Sequence, residues 1–283
     1  MGEVALAAKI THVPSMYLSE QPGRHQGCRD AAIEGHREIE RRARALGVGT
    51  MLVFDVHWLV NSGYHINCNS RFEGVYTSHE LPHFISDLRY DYPGNPRLGR
   101  RIAESARAAG ISARAHEIDS LKLEYGALVP LRYMNRERHF RVVSVAAWCA
   151  WHSLDESRRF GAAVRAAIEA GDDKVMVLAS GSLSHRFQDS DKAEKGMFDI
   201  SAEFYRQVDL RVLDLWREGR WKEFCAMLPE YAALCHGEGG MHDTAMLLGL
   251  LGWDGYRGCA EIITDYFPSS GTGQVNAIFP LPA

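Results

Sequence analysis

The chain contains no C-x-x-C pair. Its six cysteines, Cys28, Cys68, Cys149, Cys225, Cys235 and Cys259, are scattered over 283 residues. In a chain long enough to bury a full core, that spacing excludes a disulfide scaffold and a zinc ribbon, and points to reduced, mostly packed thiols in the cytoplasm. No stretch approaches the roughly 18 uninterrupted apolar residues of a membrane helix. Met1–Lys9 lacks the basic and apolar regions of a signal peptide. Neither sign of charge dominates: Lys and Arg total 32 against 36 Asp and Glu, a formal net charge of −4. So weak an excess leaves no footprint for nucleic acid or an anionic membrane. There is no internal repeat, no low-complexity linker, no P-loop and no Gly-rich dinucleotide fingerprint, and Ser180-Gly181-Ser182 is not a G-x-S-x-G elbow. What the chain does have is 13 histidines.

Apolar runs alternate with helical patterns. Val4–Ile10, Thr50–Val56 and Lys174–Ala179 are continuous apolar stretches of strand length, and Gly63–Asn67, Ile111–His116 and Phe140–Ala147 are shorter or less pure versions. Cys28–Leu46, Arg97–Ala109, Asp155–Ala170, Ser201–Trp216, Lys222–Leu228 and Thr244–Leu251 carry helical spacing. Glu261–Phe267 and Gln274–Phe279 return to strand, and Tyr90–Pro96 is a loop by its proline and glycine content. This alternation predicts an α/β fold with a largely parallel or mixed sheet and helices on both faces, in one domain over residues 1–283.

In such sheets the ligand crevice lies beyond the carboxyl ends of the strands. His12, His57 and His185 each fall at or just after such an end. Two histidines and one carboxylate on one face of an octahedron make a non-haem iron site with positions left open. The carboxylate candidate lies in Cys235–Asp243 (CHGEGGMHD), where glycines let the backbone approach an ion. Asp243 is expected to cap the following helix, with His236 and His242 exposed and Glu238 free to be a ligand. His79-Glu80-Leu81-Pro82-His83 satisfies H-E-x-x-H, with Glu104 downstream, but Pro82 denies the two histidines a shared helical face. It is a decoy. Arg37–Arg44 is a solvated helix face, and Trp216 and Trp221 are packing residues.

Ala7–Met16 (AAKITHVPSM), Phe54–Trp58 (FDVHW), Leu123–Met134 (LEYGALVPLRYM), Leu178–Phe187 (LASGSLSHRF), Gly237–Leu248 and Ser269–Pro282 (SSGTGQVNAIFPLP) together resemble the class III extradiol ring-cleavage dioxygenases, in order and nearly end to end. The resemblance implies a three-layer α/β/α fold and a homo-oligomer. It also implies a mononuclear Fe(II) centre, with Mn(II) the alternative metal. His12 and His57 match the histidine ligands, Glu238 the carboxylate ligand and His185 the acid–base histidine. Where some relatives carry Asp-His-Gly, this chain reads Glu124-Tyr125-Gly126, so Tyr125 either brings a phenol hydroxyl to the substrate or lines the pocket. Within the family the match favours a catechol with a one-carbon-spaced carboxylate, cleaved with O2. Another catechol or an aminophenol is the alternative substrate, and a zinc-dependent hydrolase or a non-catalytic binding relative are the alternatives outside the activity. Arg132 and Arg186 stand near the motifs as candidates to hold the carboxylate, with a structural role the competing reading of each.

Overall fold

The computed structural model describes residues 1–281; Pro282 and Ala283, the end of the expected 1–283 domain, lie outside the described residues. In chain order the first elements are β1 (Glu3–Ile10), α1 (Ser15–Ser19), α2 (Asp30–Ala45), β2 (Thr50–Val60), β3 (Tyr64–Asn67), β4 (Arg71–Tyr76), β5 (Leu88–Pro93), α3 (Pro96–Ala108) and β6 (Ala113–His116). They are followed by α4 (Tyr125–Met134), β7 (Arg141–Cys149), α5 (Leu154–Glu169), β8 (Lys174–Ser180), α6 (Glu203–Arg217), α7 (Trp221–Leu234), α8 (His242–Leu251), β9 (Glu261–Ser269) and β10 (Thr272–Ile278). Short 3-10 turns cover Glu238–Met241 and Trp253–Gly255.

Eight strands form one sheet in the order β6-β3-β7-β2-β8-β1-β10-β9. Its centre, β7-β2-β8-β1, is parallel, while β3 meets β7, and β10 meets β1 and β9, antiparallel. The apolar runs are continuous because both faces of this centre are covered. Leu52, Phe54 and Val56 join the core under α3, α5 and α8, whereas Met51 and Val53 join the core under α2 and α4. Alternate residues of one strand thus serve opposite layers, and the three-layer expectation holds. Trp216 and Trp221 are fully buried packing residues, as expected.

Several elements differ from the sequence expectation. Leu88–Pro93, part of it expected as loop, is a strand pairing with β4 in a separate hairpin. Its alternating Leu88, Tyr90 and Tyr92 are buried, and Pro93 sits at the end, where a missing N–H costs no ladder bond. Helix α4 was hidden because it is buried nearly all round, with Pro130 inside it. Strand β2 runs on past Val56, so His57 lies within a strand whose pairing with β8 ends at Asp55–Ser180.

Candidate metal centre

The carboxyl ends of β1, β2 and β8 open on one rim. His12 follows β1, His57 projects from β2 at the irregularity just past its last pair with β8, and His185 comes from the loop after β8. Glu238 enters from the turn before α8. His12 Nε2 and His57 Nε2 stand 3.0 Å apart, and Glu238 Oε1 lies 3.3 Å from the first and 3.2 Å from the other. His185 Nε2 approaches the same oxygen at 3.4 Å.

The hydrogen-bond partners decide which nitrogen of His12 is free. Pro130 has no N–H to give the carbonyl four residues back, so the Gly126 carbonyl is left open within α4. The Ser180 hydroxyl donates to it at 2.6 Å. With its proton committed there, Ser180 Oγ accepts from His12 Nδ1 at 3.0 Å. His12 therefore carries its proton on Nδ1 and presents a lone pair at Nε2, the arrangement by which an outer partner orients a histidine ligand. Two ring nitrogens and a carboxylate oxygen this close together can share one cation. Three donors about 2.1 Å from one centre and at right angles are about 3.0 Å apart, so the observed triangle fits one metal ion. Among the described residues, His12, His57 and Glu238 form a group able to hold one.

The surroundings set the charges. Burial alone would raise the Glu238 carboxyl, but His185, His12 and His57 together hold it well below the usual carboxylate range. Its other oxygen, Oε2, accepts from the Ser182 backbone N–H. Packing around His185 lowers its pKa below the ordinary histidine value, with Glu238 pulling the other way. The loop that carries His185 is fixed by Asp209 of α6, which accepts from Ser184 N, Ser184 Oγ, Tyr231 Oη and Tyr266 Oη. Asp55 is buried, accepts from His57 N at 2.9 Å, and is pushed up to about 7 by that burial.

Two glycines press on β2 where it delivers His57. A Cβ on Gly126 would strike Asp55 Oδ1, and one on Gly239 would meet Val56 Cγ1 at 2.8 Å. Gly239 also begins a run of left-handed residues, with φ of 55°, 64° and 62° at Gly239, Gly240 and Met241. That turn aims Glu238 inward.

A cavity of about 480 Å³ opens above the triad. Tyr125 forms part of its wall, its ring 3.7 Å from that of His57 and its hydroxyl donating to Glu80 at 3.2 Å. The H-E-x-x-H segment is not helical. His79 and His83 are exposed and off the cavity, while Glu80 lines it. Arg132 pairs with Glu20, Arg186 is exposed, and neither lines the cavity. Asp243 does not cap α8. It sits inside the helix, fully buried against Lys9, and Met241 occupies the cap position. His236 is exposed, but His242 is buried and bonded to Ser157 Oγ at 2.7 Å. The apolar run Ala245–Leu251 draws the whole helix into the core and takes Asp243 with it. Glu80 and Asp209 escaped the sequence reading. Glu80 was masked by the decoy motif, and Asp209 has the sequence context of any acid on a helix surface.

Comparison with known proteins gives a consistent result. Residues 6–280 match the family described as the catalytic LigB subunit of aromatic ring-opening dioxygenase. The chain is 62% identical over 258 residues, 91% of its length and 94% of the relative's, to a 3,4-dihydroxyphenylacetate 2,3-dioxygenase of Escherichia coli. It is 26% identical to a 2-aminophenol 1,6-dioxygenase beta subunit of a Pseudomonas species, over 81% of this chain and 79% of that one. A solved structure of an uncharacterized protein from Escherichia coli K12 shares the fold, with a TM-score of 0.61 at 15% identity, covering 98% of this chain and all of that one.

Proposed function

The chain belongs to the family of the catalytic LigB subunit of aromatic ring-opening dioxygenase, and from that premise we propose that His12, His57 and Glu238 are its metal ligands and His185 its acid–base group. The enzyme is an extradiol dioxygenase acting on 3,4-dihydroxyphenylacetate. The observation that carries this is the 62% identity, over nearly all of both chains, to an enzyme of that name. The metal is Fe(II), and the same donors accept Mn(II). Bound there, the ion supplies the Lewis acidity that lets a catechol lose a proton near neutral pH, and open positions where substrate and dioxygen meet.

The chain's own residues do the rest. His12 offers the lone pair that its Ser180 contact leaves at Nε2, His57 its own Nε2, and Glu238 a carboxylate whose other oxygen accepts from the Ser182 backbone N–H. His185, neutral because its packing lowers its pKa, takes the catechol proton at Nε2 and returns it as the ring opens. Tyr125, whose hydroxyl is committed to Glu80, holds the imidazole of His57 in place with its ring. The ring opens beside the two hydroxyl carbons, giving 5-carboxymethyl-2-hydroxymuconate semialdehyde.

The chain works as one catalytic domain over residues 1–283, as a homo-oligomer in the cytoplasm. Among the described residues, no helix is long and apolar enough to cross a membrane. The test is direct. Anaerobic, iron-loaded protein is mixed with 3,4-dihydroxyphenylacetate and air is admitted. A yellow semialdehyde with stoichiometric oxygen uptake is expected; colourless product without oxygen uptake would point to hydrolysis and reject the reading.

A further inference from the structure

A substrate that carries a carboxylate needs a cation, yet the cavity is lined by Glu80 and Glu238 and by no lysine or arginine. The cation stands one hydroxyl behind the wall. Arg29, at the start of α2, is only 5% exposed, and no Asp or Glu among the described residues pairs with it. Its guanidinium lies against the rings of Phe198 and Phe267, 5.0 and 4.9 Å from their centroids. It donates from Nε to Ser15 Oγ at 2.9 Å, and from Nη2 to Ser269 Oγ at 3.3 Å and to the Met197 carbonyl at 2.5 Å. Burial lowers its pKa to about 10, which leaves it charged at neutral pH.

A buried charge without a counter-ion is costly, and chains keep one where a ligand completes it. Ser15 and Ser269 both line the metal cavity, and both are buried. Each spends a lone pair accepting from Arg29, and neither donates to any described residue. Their protons are therefore free for an acceptor inside the cavity, and the guanidinium behind them polarises those O–H bonds toward an anion. Arg29 also borders a second groove, with Cys28 and Tyr266, but its two hydroxyl partners line the metal cavity and not that groove.

We propose that Arg29 is the positioning residue for the substrate's carboxylate: through the hydroxyls of Ser15 and Ser269 it makes part of the metal cavity an anion subsite that selects arylacetate catechols over neutral ones. This deepens the dioxygenase reading and rests on it for the identity of the substrate. The competing role is a mechanical one, in which Arg29 simply ties down the segment around Met197.

Steady-state kinetics of the iron-loaded enzyme on 3,4-dihydroxyphenylacetate and on 4-methylcatechol, which lacks the carboxylate, separate the two roles. Arg29→Met should raise KM for the acid about 10- to 100-fold with kcat within a few-fold, so that the acid-to-neutral ratio of kcat/KM falls by about the same factor. The double variant Ser15→Ala/Ser269→Ala keeps the guanidinium and its packing, and should lower that ratio in the same direction even if Arg29→Met folds poorly. Calorimetric binding of 4-hydroxyphenylacetate to metal-free protein reads the subsite without turnover and should weaken in parallel. Equal losses on both catechols, or a double variant with the wild-type ratio, make Arg29 a mechanical tie and overturn the proposal. Should the wild type cleave neither catechol, the dioxygenase reading fails, and the binding of 4-hydroxyphenylacetate alone then decides whether the anion subsite exists.

Discussion

Lys9 and Asp243 meet at 2.5 Å with both side chains fully buried, joining β1 just before His12 to α8 just after Glu238. The pair lies against Gly181, whose added Cβ would come within 2.8 Å of Asp243 Oδ2. Removing one partner leaves the other charge buried and uncompensated. Lys9→Met or Asp243→Asn should each destabilise the metal-free protein by ~3–5 kcal/mol in urea unfolding, and Lys9→Met/Asp243→Leu by much less than the sum. Single losses below ~1 kcal/mol would show that water reaches the pair.

The triad and the decoy make opposite predictions for one measurement. His12→Ala, His57→Ala and Glu238→Ala should each drop iron content well below one per chain by elemental analysis. His79→Ala and His83→Ala, on an exposed non-helical segment, should leave iron content at the wild-type level. Full iron in Glu238→Ala would move the carboxylate role to Asp55, whose Oδ2 is buried without a partner.

His185→Phe keeps a planar ring and removes both nitrogens. Iron should stay near wild type, while kcat falls ~10²–10⁴-fold, the usual weight of a general acid–base group. Because the neutral ring accepts the proton, wild-type kcat/KM should decline toward acid, and the lowered pKa puts that decline below the ordinary histidine range. The variant should lose this limb. Full iron with near-normal kcat would remove His185 from the chemistry.

Acid sensitivity of the fold should centre on His36, whose pKa burial lowers from 6.5 to about 4 while Nε2 bonds the Thr11 carbonyl at 3.0 Å. The neutral ring is the one the fold accepts, and the unfolded chain binds the proton first. Its stabilising contribution is thus whole above pH ~6.5 and lost as pH falls through about 4, roughly 3 kcal/mol in all. His36→Gln should flatten the fall in urea midpoint between those limits, leaving the part due to His242, also lowered to about 4 by burial. An unchanged acid slope in the variant would assign the effect elsewhere.

Most of the sheet and the rim were legible because the signals were local. The runs VALAAKI, TMLVFDV and KVMVLA are long and apolar, and a histidine after each marks the crevice end. The strand β5 was obscured by the proline and glycine content of Tyr90–Pro96, although the alternation of Leu88, Tyr90 and Tyr92 was present. Helix α4 has no polar face, so periodicity had nothing to report. Arg29 was invisible for the opposite reason. It opens a helix dense in arginine, and only the fold distinguishes a buried guanidinium from Arg37, Arg41 or Arg44 on the solvent side.

Pro130 is the kind of residue a stability engineer would remove first. Restoring a regular helix there would give the Gly126 carbonyl a main-chain partner and release the Ser180 proton. Ser180 could then turn from acceptor to donor toward His12, and the imidazole would be free to move its own proton to the face where a lone pair is wanted. A more perfect helix would make a worse ligand, so the irregularity in α4 acts as a tautomer selector for a residue more than a hundred positions away in the chain.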